Sequence, residues 1–272
     1  MKGWRVRKKL HEVELDELRT KIIHKHKKCK GTGFIEVVSE DDSGLAKRKV
    51  KTCVCRKKYN YRSLFLMANI PIDSILNQQI YGKVVIDSFS NEKIEIRKEV
   101  ISPYIKNIVK AASTPFGFLF LGKNGVGKTF IGLKILYYAI VNGFTVHNME
   151  MADFLKISRK MFDGGGQKTE DLLREISNVD FLMIDEIGNE SKRSEYSISE
   201  LKSIYKKRVS MKRPTILISN YSHEEFGDTY GASVSSMVNS HSRVFDFSTA
   251  ADVRATKCNG EMQEFFKDIK GK

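Results

Sequence analysis

The sequence predicts an α/β fold in which five parallel strands are flanked by helices. From residue 116 onward, apolar segments of strand length alternate with helical segments, a pattern that places helices on both faces of a parallel sheet. A glycine-rich turn joins the first of these strands to the helix that follows it. The chain has 272 residues, of which 41% are hydrophobic, which suits one such domain and a smaller second one.

The strand candidates are short, apolar and followed by polar residues. They are residues 116–122, 144–150, 180–188, 214–220 and 243–248. Between them, residues 129–143 predict a helix that stops at Gly143, and residues 197–212 predict an amphipathic helix with a basic outer side. Residues 92–112 also look helical, with Pro103 expected to start or kink a turn within them.

Positive charge is concentrated at the start of the chain. Residues 1–70 hold 19 Lys/Arg and 8 Asp/Glu, so they supply +11 of the net +14, and residues 71–272 supply +3. A basic module favours a polyanion or an acidic protein surface as its partner, whereas the neutral interpretation is a solvated face. We therefore expect a basic domain over residues 1–70, a connector over 71–91 that Pro71 opens, and the larger domain over 92–272.

The composition argues against membrane and secreted classes. No apolar run approaches the roughly 18 residues that a membrane span needs, so we expect no membrane partner. The basic N-terminus has no apolar core of the kind that secretory signals carry. The cysteines Cys29, Cys53, Cys55 and Cys258, without an export signal, favour a reducing cytoplasm over a disulfide framework.

Residues 122–129, GKNGVGKT, fit the phosphate-binding pattern G-x-x-x-x-G-K-[S/T] between a strand and a helix. Glycines let successive backbone amides face one anion, and the helix N-terminus adds its positive dipole end. In this pattern Lys128 reaches the β- and γ-phosphates of ATP, and the Thr129 hydroxyl binds Mg²⁺. The expected nucleotide-binding residues are Gly122, Asn124, Gly125, Val126, Gly127, Lys128 and Thr129.

Acidic and amide side chains follow two later strands. Asp185 and Glu186 come after four apolar residues, at the carboxyl end of a strand, where ligands bind in such sheets. We expect Asp185 to hold Mg²⁺ through water and Glu186 to polarise the attacking water. Asn220 ends the next strand; it is either a turn residue or a partner of the γ-phosphate or the water.

The first three cysteines suggest a zinc site. His26-x-x-Cys29 and Cys53-x-Cys55 are two short-spaced pairs, separated by a predicted hairpin with its turn at residues 41–44. Two such pairs at the base of a hairpin are the geometry of a zinc ribbon, and thiolates with an imidazole suit Zn²⁺. His24 is an alternative to His26 as the fourth ligand. The competing interpretation is that the cysteines are buried apolar residues, although their sequence neighbours are strongly charged.

Taken together, IDEIGNE at 184–190, the basic helix ending in YKKR and RPTILISNYSHEEF at 213–226 resemble the AAA+ ATPases of the DnaC/DnaI type, which load replicative helicases. The transposition ATPases of the IstB type are similar to them. The resemblance covers about residues 25 to 255 and includes ANIP at 68–71. It implies a five-stranded parallel core and subunits that assemble into an open spiral, each active site being completed by a neighbour's arginine.

That arginine is where the sequence departs from the family. The family pattern places a Ser-Arg pair some seven residues before the last core strand, where this chain has Ser236-Met237. Arg243 follows Ser242 directly against the strand and is the preferred candidate after a local shift. The alternatives are that this arginine is degenerate, with Arg243 a surface charge at a strand start, or that Arg208, Arg213 or the partner protein supplies it. Arg254 matches the family's second sensing arginine, which acts within the same chain on the γ-phosphate.

The resemblance implies an ATP-hydrolysing loader that binds a hexameric replicative helicase through residues 1–70 and helps to place it on single-stranded DNA. A basic surface on and after the 197–212 helix either tracks DNA or is merely solvated. Its residues are Lys202, Lys206, Lys207, Arg208, Lys212 and Arg213. Two alternatives stay open: an IstB-type regulator of a transposase, and a loader-like inhibitor of the helicase that does not hydrolyse ATP.

Overall fold

The computed structural model describes residues 27–30, 32, 34–40, 46–53, 55, 68, 85–87, 93–162, 164, 166–189 and 195–250. The chain divides into two compact units, Met1–Asp73 and Ser74–Lys272. In the part of the chain so described, no helix combines the length and apolar character needed to cross a membrane.

The first unit contains an antiparallel hairpin. A 3₁₀ turn at Lys27–Cys29 leads into β1 (Phe34–Glu40), which pairs with β2 (Ala46–Thr52). The register sets Phe34 opposite Thr52, so Cys29 before β1 and Cys53 after β2 come to the same end of the hairpin. The hairpin expected from the sequence is therefore present, and its expected turn lies outside the described residues.

The second unit begins with a short hairpin and a broken helical segment. These elements are β3 (Val85–Asp87), β4 (Lys93–Glu95), a π-helix (Ile96–Ile101), α1 (Ser102–Lys106) and α2 (Ile108–Ala111). The prediction of one helix over 92–112 is wrong at its start, because β4 pairs with β3 there. Pro103 lies in the first turn of α1, where its missing amide costs no helical hydrogen bond, and a second break follows at Asn107.

The main sheet has five parallel strands in the spatial order β6-β7-β8-β5-β9, which confirms the predicted fold class. The strands are β5 (Gly117–Leu121), β6 (Val146–Glu150), β7 (Phe181–Ile187), β8 (Thr215–Ser219) and β9 (Ser242–Asp246). The helices are α3 (Lys128–Val141), α4 (Met151–Phe162), α5 (Gly166–Asn178), α6 (Glu195–Ser210) and α7 (His223–His241).

The apolar strand sequences are explained by burial on both faces. Every residue of β5 and β8 is buried, as strands in the middle of a helix-covered parallel sheet must be. The helix α3 ends as predicted: Gly143 has φ +87° and its amide bonds to the Ile140 carbonyl, while the Phe144 amide bonds to the Ala139 carbonyl. This pair of bonds is the Schellman motif, and it turns the chain from α3 toward the edge strand β6.

Candidate functional site

The turn from β5 into α3 forms a cradle of backbone amides. Gly122, Gly125 and Gly127 all have φ between +84° and +107°, a range that side chains rarely tolerate. At Gly122 a Cβ atom would also lie 2.7 Å from the Ser248 nitrogen. No side chain caps the N-terminus of α3, so its first amides remain available to an anion.

Lys128 begins α3 and is folded back into this cradle. Its side chain is only 4% exposed, and Nζ donates hydrogen bonds to the carbonyls of Gly122 and Lys123, the latter at 2.7 Å. A third bond of 3.2 Å reaches Oδ1 of Asn220. The structure therefore brings Lys128 and Asn220 together, as expected of two groups that share the γ-phosphate.

Thr129 and Asp185 form the second expected pair. Asp185 lies at the carboxyl end of β7, is 8% exposed, and accepts hydrogen bonds from the Thr129 side chain and from the Glu186 amide at 2.7 Å. Burial raises the pKa of Asp185, and these two hydrogen bonds oppose that rise. A hydroxyl and a carboxylate in contact are oxygen donors of the kind that Mg²⁺ prefers, so this pair fits the ion.

Glu186 projects from an irregular part of β7. Between Ile184 and Ile187 the pairing of β7 with β8 slips by one residue, and Glu186 itself has φ +56° with an exposed side chain. A bulge of this kind changes the direction of a side chain, and a non-glycine residue in the left-handed region commonly marks a functional site. Here the bulge directs Glu186 to solvent beside the buried Asp185.

Glu150 is a neighbour that the sequence did not single out. It ends β6 and stands in register with Asp185. The pKa of Glu150 is raised by partial desolvation, and then by the negative charges of Glu186, Asp153 and Asp185. A signal was present, because the strand segment 144–150 ends in this acid.

Of the two candidate arginines, the structure describes Arg243. Arg243 is in β9, paired in register with Phe118 at the start of β5, so it lies at the opposite end of the sheet from its own phosphate loop. Its guanidinium is 5.1 Å from the centre of the Phe245 ring, beside a cavity of about 450 Å³. Arg254 lies outside the described residues.

The expected basic surface needs correction at Arg208. Arg208 is completely buried and donates to Thr215 Oγ1 and to four carbonyls, those of Ser177, Val179, Asp180 and Pro214. Arg213 pairs with Asp180 at 3.1 Å and donates to the Asn178 carbonyl. Arg208 is therefore not available to DNA or to a neighbouring active site, and Arg213, about 30% exposed, is engaged in its ion pair. Lys202, Lys206, Lys207 and Lys212 are exposed.

In the first unit, Cys29, Cys53 and Cys55 converge. All three are buried, their sulfur atoms lie within 4.8 Å of one another, and Cys29 Sγ is 3.4 Å from Cys55 Sγ. Burial, followed by the hydrogen bonds to the two neighbouring thiols, raises the pKa of the Cys55 thiol to about 12. Three converging sulfurs fit a thiolate-binding metal such as Zn²⁺. The expected fourth ligand, His26, lies outside the described residues.

Comparison with known proteins identifies the nucleotide-binding part. Residues 113–239 match the family model described as IstB-like ATP binding protein. That span begins just before β5 and ends within α7, so it contains the phosphate loop, Asp185, Glu186 and Asn220. Residues 113–239, slightly less than half of the chain, are therefore similar to that family, and we refer to them as the IstB-like domain.

The IstB-like domain is also similar to proteins named replicative helicase loader DnaC. The protein from Escherichia coli (strain K12) is 31% identical over 149 residues, which are 54% of this chain and 60% of that protein. The protein from Buchnera aphidicola subsp. Baizongia pistaciae (strain Bp) is 38% identical over 139 residues, or 49% and 55% of the two chains. The predicted resemblance is confirmed, and the match spans less than two thirds of these relatives' own length.

A solved structure described as that of DnaI shares the fold. It aligns with a TM-score of 0.50 and 17% identity, covering 64% of this chain and 93% of the other. At this identity the likeness concerns the arrangement of strands and helices alone. It agrees with the five-stranded sheet, of which β5 to β8 lie within residues 113–239 and β9 follows them.

Proposed function

We propose that the chain binds MgATP at the carboxyl end of its main sheet and hydrolyses it. The observation that carries this proposal is the meeting of two pairs, Lys128 with Asn220 and Thr129 with Asp185, beside an exposed Glu186. A structural turn would not need a buried lysine, a magnesium-binding pair and a free carboxylate at one edge.

The roles follow from the geometry. Lys128 would exchange the carbonyls of Gly122 and Lys123 for the β- and γ-phosphates, and Thr129 with Asp185 would hold the ion. Mg²⁺, when bound, neutralises developing charge on the phosphate oxygens. Glu186 would accept the proton of the attacking water, and the amide of Asn220 would orient the γ-phosphate.

The test of hydrolysis is Glu186→Gln, which keeps the shape of the side chain and removes its basicity. ATP binding should persist, while turnover should fall by about 10² to 10⁴-fold, the usual contribution of a general base. Glu175→Gln, an exposed acid on α5, is the matched control and should hydrolyse ATP like the parent. Parent-like turnover by Glu186→Gln would contradict the role of Glu186.

We infer that the ATPase serves to load a hexameric replicative helicase onto single-stranded DNA. Support comes from the relatives named helicase loaders and from the basic residues 1–70, which would bind the helicase, with 71–91 as connector and 92–272 as ATPase domain. The exposed lysines of α6 would follow the DNA backbone once ATP-bound subunits assemble into a spiral.

A second candidate is an IstB-type regulator of a transposase, which the family match of residues 113–239 favours. Affinity capture of the full chain from its native cell distinguishes the two. Recovery of a replicative helicase supports the loader, and recovery of a transposase supports the regulator. Reconstitution then tests loading directly, by measuring whether the captured helicase becomes bound to circular single-stranded DNA only when the chain and ATP are both present.

The sulfur cluster is proposed as a structural Zn²⁺ site closed by His26. A unit this small buries a limited core, so metal binding should contribute to its folding free energy. Elemental analysis of the purified full chain should give one Zn²⁺ per chain, and Cys53→Ser should lose it while ATP binding persists. Cys258→Ser is the matched control and should keep the metal. Metal-free parent protein would contradict the proposal.

Arg243 is proposed as the arginine that completes a neighbouring subunit's site, and Arg254 as the second sensor within the chain. Arg243→Ala should leave ATP binding by the monomer unchanged and lower both ATP hydrolysis and ATP-stimulated DNA binding. Arg174→Ala, an exposed arginine on α5, is the control. If both activities survive Arg243→Ala, the completing arginine comes from elsewhere.

A further inference from the structure

Two segments of the site that are distant in sequence are joined at the end of β8. The Ser219 hydroxyl, which is fully buried, donates to the carbonyl of Ile187 at 2.6 Å. The Tyr221 hydroxyl donates to the next carbonyl, that of Gly188, at 2.9 Å. The turn that follows Glu186 is therefore fixed at two consecutive peptide groups, one by the last residue of β8 and the other by Tyr221, which follows β8.

Tyr221 also packs against this turn. Gly188 has φ +99°, and a Cβ atom there would lie 2.4 Å from Cε2 of the Tyr221 ring. The ring thus occupies the space over Gly188 that any other residue would need. The turn is closed on its other side by the Asn189 amide, which donates to the Glu186 carbonyl at 3.1 Å.

The same short segment is bonded to the phosphate loop. The Gly122 amide donates to the Tyr221 carbonyl at 2.8 Å, and Lys128 donates to Asn220 at 3.2 Å. Tyr221 consequently contacts the first residue of the phosphate loop through its backbone and the Glu186 turn through its side chain.

We propose that Tyr221 is a positioning residue for ATP hydrolysis, which sets the Glu186 turn at a fixed distance from the phosphate loop. The proposal rests on the proposed hydrolytic role of Glu186. That side chain is exposed and starts from a left-handed backbone, so its own surroundings do little to fix it. A general base must lie within hydrogen-bond reach of its water, and small displacements of such groups are costly in rate.

Tyr221→Phe tests the hydroxyl while keeping the ring. Loss of one hydrogen bond of ordinary strength should lower kcat by about threefold to tenfold, whereas KM and the Kd for MgATP should stay within about twofold of the parent because the phosphate contacts remain. Tyr138→Phe makes the same chemical change on α3 and should leave kcat unchanged. A purely structural role of Tyr221 would instead weaken ATP binding and kcat together.

The double variant Tyr221→Phe/Glu186→Gln separates action through Glu186 from action elsewhere. Measured by single-turnover hydrolysis, Tyr221→Phe should cost nothing further once Glu186→Gln is present, since coupled residues are not additive. An equal loss in both backgrounds would overturn the inference, as would a parent-like kcat for Tyr221→Phe alone. Either of these outcomes, with a parent that hydrolyses ATP, would contradict only the role of Tyr221 and not the proposed ATPase function. A parent that does not hydrolyse ATP would contradict the ATPase function and the role of Tyr221 together.

Discussion

Two buried cations, Lys128 and Arg208, lie at opposite ends of the main sheet. Lys128 lies at the carboxyl ends of the strands, 4% exposed, and Arg208 lies near their amino ends, fully buried. Both donate hydrogen bonds to uncharged oxygens. Lys128 donates to two loop carbonyls and the Asn220 amide, and Arg208 donates to one hydroxyl and four carbonyls. Burial of a cation therefore does not by itself identify a functional site.

Lys128 and Arg208 differ in the groups that accept their hydrogen bonds. Those of Lys128 belong mainly to a glycine loop, and phosphate oxygens can replace them around a compact ammonium. The acceptors of Arg208 come from the end of α5 and the approaches to β7 and β8, and they match the fixed fork of a guanidinium. Burial, and then the charge of Arg213, lowers the pKa of Arg208 to about 9, which still leaves it charged at neutral pH. The hydrogen bonds of Arg208 thus join α5, α6 and the starts of β7 and β8 permanently. We expect those of Lys128 to be replaced when phosphate binds.

The largest expected effect is on Arg208. Arg208→Leu would leave several buried carbonyls without donors, so the free energy of unfolding should fall by about 3–5 kcal/mol. Chemical denaturation measures it, with ATP affinity of the folded fraction unchanged. Arg208→Lys should recover only part of the loss, because one ammonium cannot span the five acceptors. If Arg208→Leu were as stable as the parent, Arg208 would not stabilise the fold, and the proposed difference between Arg208 and Lys128 would be wrong.

Lys128→Ala should give the reverse pattern. Removing charge-assisted contacts to phosphate should weaken ATP binding by about 30- to 100-fold, and the unfolding midpoint without nucleotide should change little, because the loop carbonyls can reach water. Isothermal calorimetry and denaturation in the absence of ATP check the two halves. Lys110→Ala, at an exposed position on α2 away from the phosphate loop, is the control.

His147 extends the comparison to a partly buried base that stays neutral. Burial lowers the pKa of His147 from 6.5 to about 4, so the unfolded chain binds the proton first as the pH falls. The contribution of neutral His147 to the free energy of unfolding is therefore fully present above about pH 6.5. It is lost as the pH falls toward 4, by up to about 1.4 kcal/mol per pH unit. His147→Gln should flatten the stability profile between pH 7 and 5, and identical slopes for parent and variant would contradict this.

The smallest effect is expected at Arg213, whose pair with Asp180 is about 30% exposed on each side. Arg213→Ala should cost less than about 1 kcal/mol, and the part due to the ion pair should shrink in high salt. Denaturation at low and high ionic strength measures it. A loss as large as that of Arg208→Leu would mean that the two arginines act as one unit.

The sequence predicted the parts in which local pattern and tertiary role coincide. Strands buried on both faces are apolar, so β5, β8 and the first part of β7 are apolar runs that the sequence displays directly. The phosphate loop needs glycines and Lys128 at fixed spacing. The run KKR at residues 206–208 predicts one exposed basic face, and this prediction is wrong for Arg208, which is buried. Its spacing from Leu201, Ile204 and Tyr205 puts it on the buried face of α6, a signal that was available.

Other features depend on pairing that no local pattern specifies. β4 forms only because β3 lies beside it, so residues 93–95 carried no strand signal of their own. The bulge at Glu186 is a slip between two strands, and Tyr221 gains its position from a glycine carbonyl more than thirty residues earlier in the chain. Such contacts are set by the assembled sheet, and a single sequence does not contain them.

The register of β9 with β5 bears on how many complete catalytic sites an assembly of copies contains. Because Arg243 is level with Phe118 while the phosphate loop follows Leu121, a chain that lends Arg243 to a catalytic site must lend it to another copy. A row of identical copies joined in this way is directional, with a bare phosphate loop at one end and an unused arginine at the other. A closed ring of n copies would hold n complete sites, whereas an open row holds n − 1. The ratio of tightly bound nucleotide to hydrolysed nucleotide in one round would therefore distinguish a ring from a row.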